Sequence, residues 1–265
     1  MSKLVSGELW VLFEPLLPAP KPRRFQFPGR KPVDNRVALS VILFVLKTGI
    51  PWEDVPHEMG CCGMAAWKKL HEWQDAGVWE KFHALILQEL ETQGKLDWER
   101  AMVDSSSVRA TQGGDDTGPN PTDRAKLGTK HHVLTEGHGL PLAVKVTGAN
   151  RNDITQLKPL VEAIPKLKSR GKGRKRQKRP EKLLADRGYD SQPHREWLEG
   201  KNIIPILAKR YTGHGSGLGK ERWPVERLFA WLHDDRKIRI RDERRSDIHK
   251  GLVSFAAALI CFAAL

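Results

Sequence analysis

The stretch Arg222-Trp-Pro-Val-Glu226-Arg-Leu-Phe-Ala-Trp-Leu232 has the apolar spacing of a helix that packs on a core. Its stripe recurs at i, i+3, i+4 and i+7 and consists of Val225, Leu228, Phe229 and Leu232. Pro224 suits the first helical position, where its missing N–H needs no partner, so Glu226 is expected in the first turn. Helical spacing would place His233 and Lys237 on the same side as Glu226. That face could meet a metal bound to phosphate, and an ordinary surface helix with a solvated Glu226 is the alternative.

The charge balance of the whole chain indicates a polyanionic partner. Lys and Arg number 45 among 265 residues, against 32 acids, which leaves a net charge of +13. Nucleic acid is therefore favoured over an anionic membrane. The longest apolar run, residues 252–265, is shorter than the roughly 20 residues of a membrane-spanning helix, and the three cysteines form no CxxC pair. We expect a soluble intracellular protein with neither a disulfide framework nor a zinc knuckle.

Residues 1–95 have the spacing of a small all-helical domain. Helices are predicted over 36–47, 64–74 and 78–90, after a proline-rich basic connector over 15–32. Short helices with tight turns, carrying Lys68, Lys69 and His71 on the second of these three, are typical of a helix-turn-helix DNA-binding domain. A purely structural or dimerising helical cap is the alternative.

From residue 97 the pattern changes to β runs and turns. The predicted strands are 101–108, 130–134, 140–146, 182–185 and 203–207, and the predicted helices are 153–167, 192–200 and the one that begins at Pro224. The order β-β-β-α-β-α-β-α predicts a mixed sheet flanked by helices. The sequence thus divides into a helical DNA-binding domain over 1–95 and an α/β catalytic domain over 96–265.

Residues 166–182 hold most of the excess positive charge. They contain ten Lys or Arg and one Glu, so they contribute +9 of the net +13. The favoured interpretation is a loop that contacts DNA phosphates without reading sequence, through Lys172, Arg174, Lys175 and Arg176. A solvated loop without a partner is the alternative.

Three acids stand at the ends of predicted elements in the second half. Asp104 follows the apolar start of the first strand, Asp186 closes the strand 182–185, and Glu226 opens the last helix. Acids beside buried apolar residues are unfavourable unless they are paired or bound to a cation. Together they predict an oxygen-ligand site for two Mg²⁺ ions, which could activate a water or a 3′-OH and stabilise the leaving oxygen at a phosphodiester.

The order of motifs resembles that of the DDE transposases of bacterial insertion sequences, in the insertion-sequence family 5 group. The motifs that carry the resemblance are Met102-Val-Asp104-Ser-Ser-Ser-Val-Arg109, Asn120-Pro-Thr-Asp-Arg124, Lys126-Leu-Gly-Thr-Lys130, Thr147-Gly-Ala-Asn-Arg-Asn-Asp153, Leu184-Ala-Asp186-Arg-Gly-Tyr-Asp190 and Trp223-Pro-Val-Glu226-Arg. The region from Trp52 to Trp79 also resembles the helical N-terminal domain of that group. The resemblance covers nearly the whole chain.

The resemblance implies an RNase H-like catalytic domain in which Asp104, Asp186 and Glu226 bind Mg²⁺, with Mn²⁺ as a substitute. It implies an enzyme that cuts double-stranded DNA at transposon ends and joins the freed 3′-OH to target DNA, acting as a homodimer in the bacterial cytoplasm at the nucleoid. A structure-specific nuclease on the same fold and a non-catalytic DNA-binding protein are the alternatives.

The wider family carries Tyr, Arg, Glu and Lys at fixed spacings, and this chain departs from that pattern at two positions. Arg222 stands at the Arg position, but Gly219 replaces the Tyr and His233 replaces the Lys. This departure affects only the contacts by which the protein is expected to bind the transposon end. The residues expected to make DNA contacts around this helix are Arg222, Trp223, Arg227, His233, Arg236 and Lys237.

Overall fold

The computed structural model describes residues 4–20, 22, 25–27, 31–168, 178–209 and 219–265, without the side chains of 219 and 220. Its N-terminal part consists of α1 (Gly7–Phe13), α2 (Asn35–Thr48), α3 (Gly63–Asp75) and α4 (Val78–Gln93). Asp34 caps α2 by accepting a hydrogen bond from the Val37 N–H, and Gly49 ends it with a φ of 70°. The prediction of an N-terminal helical region is therefore confirmed.

The second part contains a mixed sheet. Its strands are β1 (Arg100–Ala110), β2 (Gly118–Pro119), β3 (Leu127–Glu136), β4 (Pro141–Gly148), β5 (Lys182–Ala185), β6 (Ile204–Leu207) and β7 (Ile240–Arg241). The five longer strands lie in the order β4-β3-β1-β5-β6. The hairpin pairs β1–β3 and β3–β4 are antiparallel, whereas β1–β5 and β5–β6 are parallel. β1 is therefore the strand at which the sheet changes direction.

The remaining helices are α5 (Ile154–Glu162), α6 (Gln192–Glu199), α7 (Gly219–Asp234), α8 (Arg236–Arg239) and α9 (Ser246–Phe262). The predicted mixed α/β order is confirmed, with corrections at two helix ends. α5 stops at Glu162 rather than at Leu167, because Pro165 disfavours helical backbone at the residue before it.

The second correction concerns the start of α7. This helix begins at Gly219, so Pro224 is an interior residue and Glu226 lies near the middle of the helix rather than in its first turn. Proline removes one helical hydrogen bond, but tertiary contacts hold the turn that precedes it. Arg222 pairs with Asp104 of β1, and Pro224 itself is buried. The predicted apolar stripe does face the core: Val225, Leu228 and Leu232 are fully buried.

The N-terminal helices and the sheet share one hydrophobic core. α9 packs on α4 and also on β4, so the last helix of the chain joins the two parts. The ring of Phe255 on α9 lies 4.9 Å from that of Trp79, and Phe13 lies 5.2 Å from Phe82. The C-terminal apolar run therefore serves as a buried helix. No helix within the described residues is long and apolar enough to cross a membrane.

Candidate active site

Two of the three predicted acids meet at the carboxyl end of the parallel strand pair β1–β5. Met102 pairs with Leu184 in this ladder, and Asp104 and Asp186 each follow two residues later. Side chains at matched positions of neighbouring parallel strands point to the same face, and such strands lie about 4.8 Å apart. The register of the sheet thus puts the two carboxylates side by side.

The environment of Asp104 makes its negative charge unfavourable. Burial raises the pKa of Asp104 from 3.8 to about 6, and the charges of Asp186 and Asp153 act in the same direction. The guanidinium of Arg222 and the backbone N–H of Ser105 oppose that rise. A cation bound nearby would therefore stabilise the charged form of the Asp104 carboxyl group.

Helix α7 brings Arg222 onto Asp104. Nη2 of Arg222 lies 2.9 Å from Oδ2 of Asp104, with side chains only 15% and 24% exposed. Nε of Arg222 is buried and has no hydrogen-bond partner within the described part of the chain. Glu226 follows one turn later on the same helix, about 6 Å along its axis, and is exposed. The helix that carries the third acid is thus anchored at the acid pair.

The donor chemistry of this site fits a hard divalent cation. Two adjacent carboxylates repel each other, and a divalent cation between them would favour the charged form of both. The residues that the structure describes contain no group of three His, Cys, Asp or Glu side chains already arranged to hold a metal. Asp104 and Asp186 are the two acids that the sheet sets side by side, and Glu226, one turn after Arg222 on the same face of α7, is the acid that could complete the site.

A cation–aromatic cluster covers the outer side of α7. The guanidinium carbon of Arg227 lies 4.5 Å from the ring centroids of both Trp223 and Trp231, one turn before and one turn after it. The two tryptophans are 49% and 40% exposed. Nη2 of Arg227 donates a hydrogen bond to the carbonyl of His138 at 2.5 Å, which fixes the cluster against the β3–β4 turn. This face offers a cation between two flat apolar rings.

The other predicted DNA-contacting residues after Trp231 have different surroundings. Arg236 is exposed. His233 is half-buried, its ring lies 5.9 Å from that of His131, and burial lowers its pKa. Lys237 is only 4% exposed and its Nζ lies 3.2 Å from Oδ2 of Asp242. Glu226 and His233 both lie on α7, two turns apart, but Lys237 belongs to α8, so its predicted place on the same face is wrong.

The basic groups predicted elsewhere are only partly described. Lys172, Arg174, Lys175 and Arg176 lie outside the residues that the structure describes. On α3, Lys68 is exposed, Lys69 pairs with Glu72 at 3.1 Å, and Nδ1 of His71 lies 3.1 Å from Nη1 of Arg245. DNA binding by residues 1–95 therefore stays a prediction.

Sequence reasoning missed one acid of the site. The sequence marks Asp153 only as the first residue of the predicted helix 153–167, whereas in the structure Oδ1 of Asp153 accepts hydrogen bonds from Ser105 and Lys130, each at 2.8 Å. These partners lie 48 and 23 positions away, so no local pattern reveals them. His131 and His132 are buried in the core. Asp190, four residues after Asp186, forms an ion pair with Arg195 at 2.7 Å.

Comparisons with known proteins agree with this geometry. The family "Transposase DDE domain" matches residues 99–262, and the family "Putative transposase of IS4/5 family" matches residues 5–83. The cryo-EM structure of the piggyBac transposase synaptic complex with hairpin DNA superposes with a TM-score of 0.52 at 10% identity, over 99% of this chain and 74% of that one. The mixed sheet, with Asp104 on β1 and Asp186 directly after β5, thus has an RNase H-like fold.

Two relatives from Burkholderia cepacia are similar in sequence. The putative transposase for insertion sequence element IS402 is 56% identical over 146 residues, covering 55% of this chain and 68% of the relative. An uncharacterised 16.2 kDa protein of the same element is 54% identical over 119 residues, covering 44% of this chain and 81% of the relative. The chain belongs to the DDE transposases of bacterial insertion sequences, a family of DNA-processing enzymes that use divalent metal ions.

Proposed function

We propose that this transposase binds the ends of its insertion sequence, hydrolyses a phosphodiester bond there and transfers the freed 3′-OH strand into target DNA. The observation that supports this most directly is the pairing of Asp104 with Asp186 under a helix that carries Arg222 and Glu226. Acids supplied by two neighbouring strands and by the helix that contacts them, in a chain of net charge +13, suit chemistry on a polyanionic substrate.

Asp104, Asp186 and Glu226 would hold the divalent ions, Mg²⁺ with Mn²⁺ as a substitute. When bound, these ions would activate the attacking water or 3′-OH and stabilise the leaving oxygen. The raised pKa of Asp104 fits this role, because burial makes its carboxylate gain more from a cation than a solvated carboxylate would. Glu226 is exposed on α7, so its side chain has room to turn towards the pair.

Arg222 and the cation–aromatic cluster of α7 would bind the DNA next to the acids. The guanidinium of Arg222 donates only, so its N–H groups not engaged by Asp104 could donate to a phosphate oxygen. Trp223 and Trp231 offer exposed ring faces, and Arg227 and Arg236 add positive charge to the same helical region. The basic groups Lys172, Arg174, Lys175 and Arg176 would add sequence-independent phosphate contacts. Lys237 is left out because it is buried and paired.

The test is metal-dependent cleavage of a duplex that ends in the terminal repeat of the element. Asp104→Asn, Asp186→Asn and Glu226→Gln should each abolish cleavage while binding of the duplex persists. Glu99→Gln is a control, because it also removes one carboxylate charge, but from a residue that directly precedes β1 and pairs with Lys182 at 3.2 Å, away from the acid pair. Cleavage retained by any of the three site variants would refute the assignment of that residue.

Two further measurements separate this function from its alternatives. Integration of 3′-OH ends into a plasmid distinguishes a transposase from a nuclease that never joins strands. The mass of the complex with end-bearing DNA, measured by analytical ultracentrifugation, tests for a homodimer holding two ends. A chain that binds DNA but neither binds Mn²⁺ nor cleaves would be a non-catalytic DNA-binding protein.

A further inference from the structure

Asp153 occupies the N-cap position of α5 but does not cap it. Its side chain accepts no hydrogen bond from the first turn of the helix. Asn152 caps the helix instead. Its Oδ1 accepts a hydrogen bond from the Ile154 N–H at 3.3 Å, and its carbonyl accepts one from Oγ1 of Thr155 at 2.7 Å. An aspartate at this position normally stabilises the helix through its side chain. The side chain of Asp153 is turned towards the sheet and is engaged elsewhere.

The partners of Asp153 come from two neighbouring strands. The hydroxyl of Ser105 on β1 and the ammonium of Lys130 on β3 both donate to its Oδ1 at 2.8 Å. Lys130 is only 12% exposed, and Nδ1 of the buried His132 lies 3.8 Å from the same oxygen. An ion pair so largely withdrawn from water is held more firmly than an exposed one. Asp153 therefore ties the start of α5 to β1 and β3.

Ser105 connects this contact to the acid pair. Its backbone N–H donates to Oδ1 of Asp104 at 2.8 Å, while its hydroxyl donates to Asp153. Successive side chains of a strand point to opposite faces, so Ser105 is held from the α5 face while Asp104 faces α7. A shift of Ser105 would move the N–H that orients the Asp104 carboxylate.

Tyr189, in the turn after Asp186, is buried in the same region of the protein. It is 1% exposed, and the hydroxyl of Ser105 interacts with its phenol, which opposes a rise in the Tyr189 pKa. Burial raises the pKa of Tyr189, and the charges of Asp153, Asp104 and Asp186 raise it further. All three carboxylates thus act electrostatically on one buried side chain, and the direct contact that links Asp153 to the strand of Asp104 is the one with Ser105.

We propose that Asp153 is a positioning residue of the catalytic centre: through the Ser105 hydroxyl it fixes the strand that presents Asp104, and Lys130 balances its charge. This inference rests on the proposed function of Asp104 and Asp186. Asp153 is not itself assigned as a metal ligand. Its Oδ1 already accepts hydrogen bonds from two donors, Ser105 and Lys130.

The experiment combines Asp153→Asn, Ser105→Ala and the double variant in the full chain. Substitution of residues that orient metal-binding groups typically weakens metal affinity or activity about 10- to 100-fold. We expect each single variant to lower the turnover of end cleavage by about that factor, and to weaken Mn²⁺ binding by the DNA-free chain, measured by calorimetry, about 10-fold. The affinity for the end-bearing duplex should stay within about twofold, since phosphate contacts made elsewhere dominate it.

The double variant tests the route of the effect. If Asp153 acts through Ser105, the double variant should lose no more turnover than the more impaired single variant, because residues in one hydrogen-bond network are not additive. Losses that multiply would overturn the proposal, as would wild-type turnover and Mn²⁺ affinity in Asp153→Asn. Glu99→Gln, which breaks a more exposed carboxylate–lysine pair with Lys182, should match the wild type in every measurement.

Two controls keep the outcome interpretable. If Asp153→Asn does not fold, as judged by its thermal unfolding, Ser105→Ala decides alone, because it removes one hydroxyl: reduced turnover and Mn²⁺ affinity support the proposal, and wild-type values overturn it. Asp104→Asn is measured in parallel. A fully active Asp104→Asn would refute the proposed function itself, whereas an inactive Asp104→Asn beside a fully active Asp153→Asn would refute only the role of Asp153.

Discussion

The stability of the metal-free protein should depend on pH through Asp104. The pKa of this carboxyl group rises from 3.8 to about 6 on folding, chiefly through burial. The pKa of Asp104 is higher in the folded state than in the unfolded state. Its contribution to the free energy of unfolding is therefore fully present below about pH 4 and is lost as the pH rises through 6. A rise of about two in pKa corresponds to about 3 kcal/mol of unfolding free energy.

The perturbation that isolates this contribution is Asp104→Asn. Its amide cannot titrate, and the loss of the contact with Arg222 changes stability by an amount that depends little on pH. Urea unfolding in metal-free buffer should therefore show the wild type losing about 3 kcal/mol relative to Asp104→Asn between about pH 4 and pH 7. A stability difference that stays constant across this range would refute the reasoning.

Mg²⁺ provides a second arm of the same experiment. A cation bound at Asp104 favours its charged form, so saturating Mg²⁺ should lower its pKa and flatten the difference above about pH 5. Asp235 is the matched control, because burial also raises its pKa to about 6. It lies between α7 and α8 and pairs electrostatically with Lys47. Asp235→Asn should show a similar pH dependence, but one that Mg²⁺ does not alter.

Three other outcomes follow from packing and charge. Gly63→Ala should lower the free energy of unfolding by about 3 kcal/mol in urea, because a Cβ at this position would lie 1.8 Å from the carbonyl oxygen of Trp52. Unchanged stability would contradict that close contact. Arg236→Ala should weaken DNA binding at all sequences and reduce the slope of log Kd against log salt by about 1, whereas Lys237→Ala should lower stability and leave that slope unchanged. Replacing the four basic residues among 172–176 with Gln should reduce the slope by about 4 if each contacts a phosphate, and an unaltered slope would exclude them from binding.

Local patterns were sufficient for most of the secondary structure. The apolar spacing of α2, α3 and α4 and the β runs of the second half predicted elements that the structure contains, because one face of each must be buried. The N-cap of α2 is a local feature in the same sense, because Asp34 directly precedes the helix and bonds to the N–H of Val37 three residues later. The start of α7 was not, since Pro224 has a strong local preference that the contact of Arg222 with Asp104 overrides.

The candidate site divides along the same line. Strand and helix periods are properties of neighbouring residues, so local spacing placed Asp104 on the first strand, Asp186 directly after the strand 182–185 and Glu226 on an amphipathic helix. The register in which β1 and β5 pair, which sets the two aspartates side by side, is a property of the folded sheet. The burial of Lys237 and the contacts of Asp153 with Ser105 and Lys130 likewise arise only in the folded chain. Such contacts join residues tens of positions apart, and their geometry depends on how whole elements pack, which no local spacing encodes.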